Sequence, residues 1–159
     1  MESGRARQLD PLSLIIRAVI AADPIFPRAH MIVYAYVEKG MFQEALADIR
    51  EWRRNDDTLW TWIMEAYVNG RMGRLAEARH AVEKFEEANR HRRVDPVYML
   101  AFAYAGMNDG DKAIAYLQKA YLEHSNALTT LKVDPAYDRL RDDPRFQELL
   151  RRVGLAGKD

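Results

Sequence analysis

Three alanines, Ala45, Ala78 and Ala113, stand 33 and 35 residues apart, and a tyrosine precedes each of them, Tyr36, Tyr67 and Tyr104, by 9, 11 and 9 residues. This period near 34 constrains the chain more than any other feature. A unit of that length has room for two helices and a turn, and it cannot bury its apolar face alone, so copies must stack into an array. The phrases around the alanines repeat too: GMFQEAL at 40–46, GRLAEAR at 73–79 and a looser DGDKAIA at 109–115.

Apolar spacing within each unit predicts the helices. Met31, Val33, Tyr34 and Val37 share a broad apolar side of one helix closed by Gly40, and Phe42, Ala45, Leu46, Ile49 and Trp52 fall at helical spacing on the next. The pair recurs as LWTWIMEAYVNG with LAEARHAVEKFEEA, and as VYMLAFAYAG with DKAIAYLQKAYLEH. Each repeated alanine sits where two helices cross and only a small side chain fits, each tyrosine fills the space between neighbouring units, and the Gly of each phrase lets the chain reverse. GRMG at 70–73 reads as a turn two residues longer than its counterparts. Five of the six prolines follow aspartate, at 10–11, 23–24, 95–96, 134–135 and 143–144, and an Asp cap with Pro in the first turn marks a helix start.

Composition bounds the function. The 159 residues suffice for one domain with a core of its own, and 24 basic against 24 acidic residues give no global attraction to nucleic acid or anionic lipid. Without cysteine there is no disulfide, thiolate metal site or cysteine nucleophile. The apolar run Leu12–Ala22 is interrupted by Arg17 and is far short of the ~20 residues that span a bilayer, and it lacks the pattern of a signal peptide, so the cytoplasm is the expected compartment.

The period, the Tyr, Gly and Ala phrases and the Asp-Pro punctuation resemble the tetratricopeptide repeat (TPR). The resemblance covers about residues 24–125 as three repeats, 24–57, 58–93 and 94–125, with a polar tail at 1–9, a helix at 12–22 and a C-terminal cap at 126–155. It implies an all-α, right-handed solenoid of about three helix pairs acting as a non-catalytic protein-interaction module. The family's small residue late in the second helix is matched only by Ala120, with Trp52 and Phe85 elsewhere. Its first-helix glycine is replaced by Val33, Met64 and Ala101, bulk that should open the helix pairs. Leu131 to Leu155 is similar to the closing segment of TPR regions in bacterial signalling chains, including winged-helix regulators, adenylate cyclases and serine/threonine kinases. In that cap, Asp143 and Pro144 start a helix with Phe146, Leu149, Leu150 and Val153 toward the array and Arg145, Glu148, Arg151 and Arg152 toward water.

In TPR proteins the first helices line a concave peptide groove. The resemblance places His30, Tyr34, Thr61, Glu65, Tyr98 and Phe102 along it, an aromatic and weakly acidic strip that could hold a partner's peptide; the alternative is that these aromatics are buried between repeats or under the cap. The strip lacks the Lys and Asn ladder that grips a C-terminal carboxylate in some relatives. The run NRHRR at 89–93 suits a solvated helix end, without the interleaved aromatics of a nucleic-acid platform. His30, His80, His91 and His124 make no metal-ligand spacing, and neither a catalytic motif nor a phosphate-cradling loop is present, so no cofactor is expected. The helix at 12–22 either caps the first repeat or, through Ile16 and Ile20, pairs with a second copy as a homodimer; this self-association is the alternative mode of a signalling module.

Overall fold

The computed structural model describes residues 28–55, 59–90 and 96–155. These residues are helical and strand-free, in three helix-turn-helix pairs followed by a C-terminal segment: α1 (Arg28–Glu38) with α2 (Phe42–Asn55), α3 (Leu59–Arg71) with α4 (Leu75–Asn89), and α5 (Val97–Gly106) with α6 (Gly110–Leu122). Two 3-10 helices, Asn126–Thr130 and Pro135–Leu140, lead to α7 (Pro144–Arg152). The first helices α1, α3 and α5 pack side by side, and α2 and α3 join one pair to the next. This is the all-α, solenoid-like stacking that the period predicts.

The same turn closes every pair. Met41 N–H bonds Tyr36 C=O at 2.8 Å, Arg74 N–H bonds Asn69 C=O at 2.9 Å and Asp109 N–H bonds Tyr104 C=O at 3.0 Å, a six-to-one closure that satisfies a helix end. Such a closure needs one left-handed residue, supplied by Gly40 (φ 68°), Gly73 (φ 74°) and, in the third pair, Asn108 (φ 59°). The third reversal therefore rests on an asparagine, whereas the sequence pattern assigned it to a glycine. Gly70 and Arg71 likewise are not part of a turn; they complete α3. Helix α3 runs on through Gly70, where a Cβ would lie 2.6 Å from the Met107 backbone nitrogen, so this position is where α3 meets the end of α5. A Cβ at Gly106 would in turn lie 2.6 Å from the Tyr67 ring.

Ala45, Ala78 and Ala113 have no exposed surface, as the crossing of two helices demands. Tyr36 and Tyr67 are buried, Tyr67 against Tyr34 and Phe102 of the neighbouring pairs, and Tyr104 is partly exposed with its ring stacked on Tyr116 at 5.5 Å. Phe85 is fully buried and Trp52 half-buried at the positions where the family carries small residues.

The C-terminal part forms as its Asp-Pro pairs predict. Asp134 accepts from Ala136 N–H at 3.0 Å and Asp143 from Arg145 N–H at 2.8 Å, with proline in each first turn. Helix α7 buries Phe146, Leu149 and Leu150 while Arg145, Glu148, Arg151 and Arg152 stay exposed. It lies against α6, where Arg145 reaches Asp111 at 2.8 Å and the Arg152 guanidinium sits 4.3 Å from the Tyr121 ring centroid.

Candidate functional site

Helical spacing brings Tyr34 of α1, Tyr67 of α3 and Phe102 of α5 together across three successive repeats. Phe102 stacks on Tyr67 at 4.5 Å and meets Tyr34 edge-on at 5.7 Å, while Tyr34 meets Tyr67 edge-on at 5.6 Å. Each such pair adds about 0.5–1.5 kcal/mol beyond its burial. Trp60 touches the same cluster from α3, its ring 6.5 Å from that of Phe102.

The chain itself covers this face. Asp134, at the turn between the two 3-10 helices, accepts from the Tyr34 hydroxyl at 2.6 Å through one carboxylate oxygen and from the Tyr98 hydroxyl at 3.0 Å through the other. Thr130 lies 3.4 Å from the Tyr98 hydroxyl. The Tyr137 ring packs edge-on against Tyr98 at 5.9 Å, and Leu128, Leu131, Ala136, Tyr137 and Leu140 are all buried. A segment 100 residues from Tyr34 in sequence thus ties the first repeat to the third. We call residues 126–143 the strap.

Burial pushes the Tyr34 hydroxyl pKa well up, and the nearby Asp134 carboxylate and its hydrogen bond push it further. Tyr98 is raised by burial and then by Asp134. Tyr137 is raised too, by burial first. Its hydroxyl is fully buried beside that of Tyr98.

Of the six residues assigned to the strip, Tyr34, Thr61, Tyr98 and Phe102 are buried, Tyr34 and Tyr98 beneath the strap. They do not present an open aromatic groove, because covering this much ring surface is worth more than leaving it in water. Glu65 keeps 21% of its side chain exposed and pairs with Arg53 at 2.5 Å. The same guanidinium donates to the Thr61 hydroxyl and carbonyl, each at 3.0 Å, and lies 3.5 Å from the Trp62 ring centroid. His30 belongs to α1, with its side chain outside the described residues, as are Ile16 and Ile20 and the 91–93 part of the basic run. An open cleft of about 400 Å³ flanks the strap, lined by Trp60, Tyr98, Met99, His124, Asn126 and Ala127 among others.

Two residues of this site went unread in the sequence. Asp134 reads in sequence as a helix cap, yet its capping oxygen also accepts from the Tyr34 hydroxyl and its other oxygen from the Tyr98 hydroxyl. Arg53 lies in an ordinary charged helix end, and nothing in its local pattern points to Thr61. Among the described residues, no group of three or more His, Cys, Asp or Glu could hold a metal ion, and no helix is long and apolar enough to cross a membrane.

Three stacked helix pairs with repeated turn closures and buried crossing alanines define a helical-repeat solenoid. Residues 94–122, which contain α5 and α6, match the family model of the tetratricopeptide repeat, and this supports a TPR protein. Such repeats serve in general as protein-interaction modules. No curated protein and no solved structure matches the chain.

Proposed function

We propose that the chain is a non-catalytic module that binds a peptide or partner domain on the concave face of its first helices, the face built from His30, Tyr34, Thr61, Glu65, Tyr98 and Phe102. One observation carries this reading: the face already holds a short turn-rich segment, the strap, through side chains of α1 and α5. A surface that seats one such segment has the shape and the hydrogen-bond donors to seat another. The TPR match at 94–122 supports the general class of function.

The test is a photo-reactive residue placed in the full chain at Glu65, on the concave face, or at exposed Glu51 on α2, followed by irradiation in extract of the source organism. The reading expects a discrete partner cross-linked from position 65 and absent from position 51. Equal products from both positions, or product from 51 alone, would refute it.

A further inference from the structure

The way Asp134 is held defines a recognition chemistry. Its two carboxylate oxygens take three donors, the Tyr34 and Tyr98 hydroxyls and the Ala136 N–H, and three residues further on the buried Tyr137 ring packs on Tyr98. We propose that the Tyr34–Tyr98 pair is a receptor for a partner peptide with a carboxylate followed three residues later by an aromatic ring, and that the strap occupies this receptor as a displaceable internal copy of that ligand. The proposal rests on the concave-face reading and deepens it by naming the peptide.

Two observations make the strap displaceable. Its backbone hydrogen bonds are local: Leu131 to Leu128, Val133 and Asp134 to Thr130, Tyr137 to Asp134, Arg141 to Asp138 and Asp143 to Leu140. None joins it to α1, α3 or α5, so opening breaks side-chain contacts and leaves every helix ladder intact. Its ends are anchored by α6 on one side and by the burial of Phe146, Leu149 and Leu150 on the other, so lifting the strap costs the Tyr137–Phe146 ring contact at 6.1 Å while Leu149 and Leu150 still hold α7. A peptide with phenylalanine in place of Tyr137 offers the same ring and carboxylate. A free carboxylate alone lacks the ring and the turn that fix its aim, so the partner is a peptide rather than a small acid.

The probe is a fluorescent peptide of residues 131–140 carrying Tyr137→Phe, titrated by anisotropy against the full chain. Asp134→Asn in the protein removes the charge from the internal ligand, and this variant should bind the probe roughly tenfold or more tightly than the wild type does. Adding Tyr34→Phe and Tyr98→Phe to that variant should abolish the gain, as should Asp134→Asn in the probe. Equal affinity across all the proteins, or no binding by a folded Asp134→Asn chain, overturns the proposal.

Hydrogen exchange of the wild-type chain provides a second measurement that needs no variant. Strap amides should open with less protection than those of α5 and α6, and protection equal to theirs overturns the proposal. A position-65 cross-link that persists while the peptide fails would reject the receptor and keep the concave-face reading; loss of the cross-link rejects that reading itself.

Discussion

Replacing Gly70 by alanine tests the packing of α3 on α5 at its tightest point. The new Cβ would stand 2.6 Å from the Met107 nitrogen, 2.7 Å from the Gly106 carbonyl carbon and 2.8 Å from its oxygen. All three are backbone atoms, so no side chain can swing aside. Restoring ordinary contact requires the helices to part by about 0.6–0.8 Å, a gap that forfeits a quarter to a half of the dispersion attraction along the seam. Overpacking of this kind costs about 1–3 kcal/mol, and here the rigid neighbours put the cost at the upper end. Alanine recovers about 1 kcal/mol through its better helix propensity. The expected net loss is about 2 kcal/mol, or roughly 4–8 °C in Tm for a chain of this size. Urea and thermal unfolding followed by circular dichroism measure it. Gly40→Ala is the control, since its Cβ meets nothing within 4 Å and only the left-handed backbone is strained, at about 1 kcal/mol. Gly106→Ala strikes Tyr67 across the same seam, so the double substitution should cost less than the two single losses added. A Gly70→Ala chain as stable as the wild type would refute the close approach of α3 and α5.

Three further outcomes are expected. Because the folded state holds Tyr34, Tyr98 and Tyr137 neutral while the unfolded chain ionises its phenols near pH 10, the stability these groups contribute is complete below that pH and is lost as pH rises beyond it. Phenolate absorbance should therefore report a late group of tyrosines, Tyr34, Tyr67, Tyr98 and Tyr137 among them, that ionise only as the helices melt, whereas all eight titrating together with the circular dichroism unchanged would contradict their burial. Asp143, drawn down from an ordinary 3.8 to about 2 by its hydrogen bonds with Arg145, contributes stability above the unfolded value that is lost as pH falls through about 2. Asp143→Asn should accordingly be less stable than the wild type at neutral pH and converge with it in acid, and an NMR carboxyl titration centred near 3.8 would show that the pairing is absent. Tyr137→Phe keeps the buried ring and removes only the hydroxyl beside Tyr98, so it should change stability by no more than about 1.5 kcal/mol in urea unfolding; a larger loss would mean that the hydroxyl, and not the ring, holds the strap.

The features legible in the sequence are those written in short-range patterns. Ala45, Ala78 and Ala113 announce the crossings because sterics at a helix contact tolerate little else, and Asp143-Pro144 announces α7 because capping is a matter of neighbouring residues. Gly40 and Gly73 are read correctly for the same reason. Asn108 was missed because a left-handed turn accepts asparagine as well as glycine, and two nearby glycines drew the assignment away. Gly70 was misread because a glycine that lets two helices touch looks the same in sequence as one that ends a helix. The strip of aromatics and its burial under the cap are both readable as alternatives, but the bond that makes the cover is not: the pairing of Tyr34 with Asp134 depends on how three repeats stack, and no local pattern encodes a contact between residues so far apart.

The bond from Asp134 to Tyr34 also changes how the array comes apart. A repeat solenoid is quasi-one-dimensional, each unit feeling only its neighbours, so it can fray from either terminus one unit at a time. A strap that reaches from the last pair back to the first turns that open row into a ring of dependencies. Loosening the first pair removes a donor from Asp134, and loosening α7 releases one anchor of the strap, so damage at either end is felt at the other. While the strap is seated the two ends are coupled, at the expense of speed, because the closing contact has one of the largest loops in the chain to span before it can form.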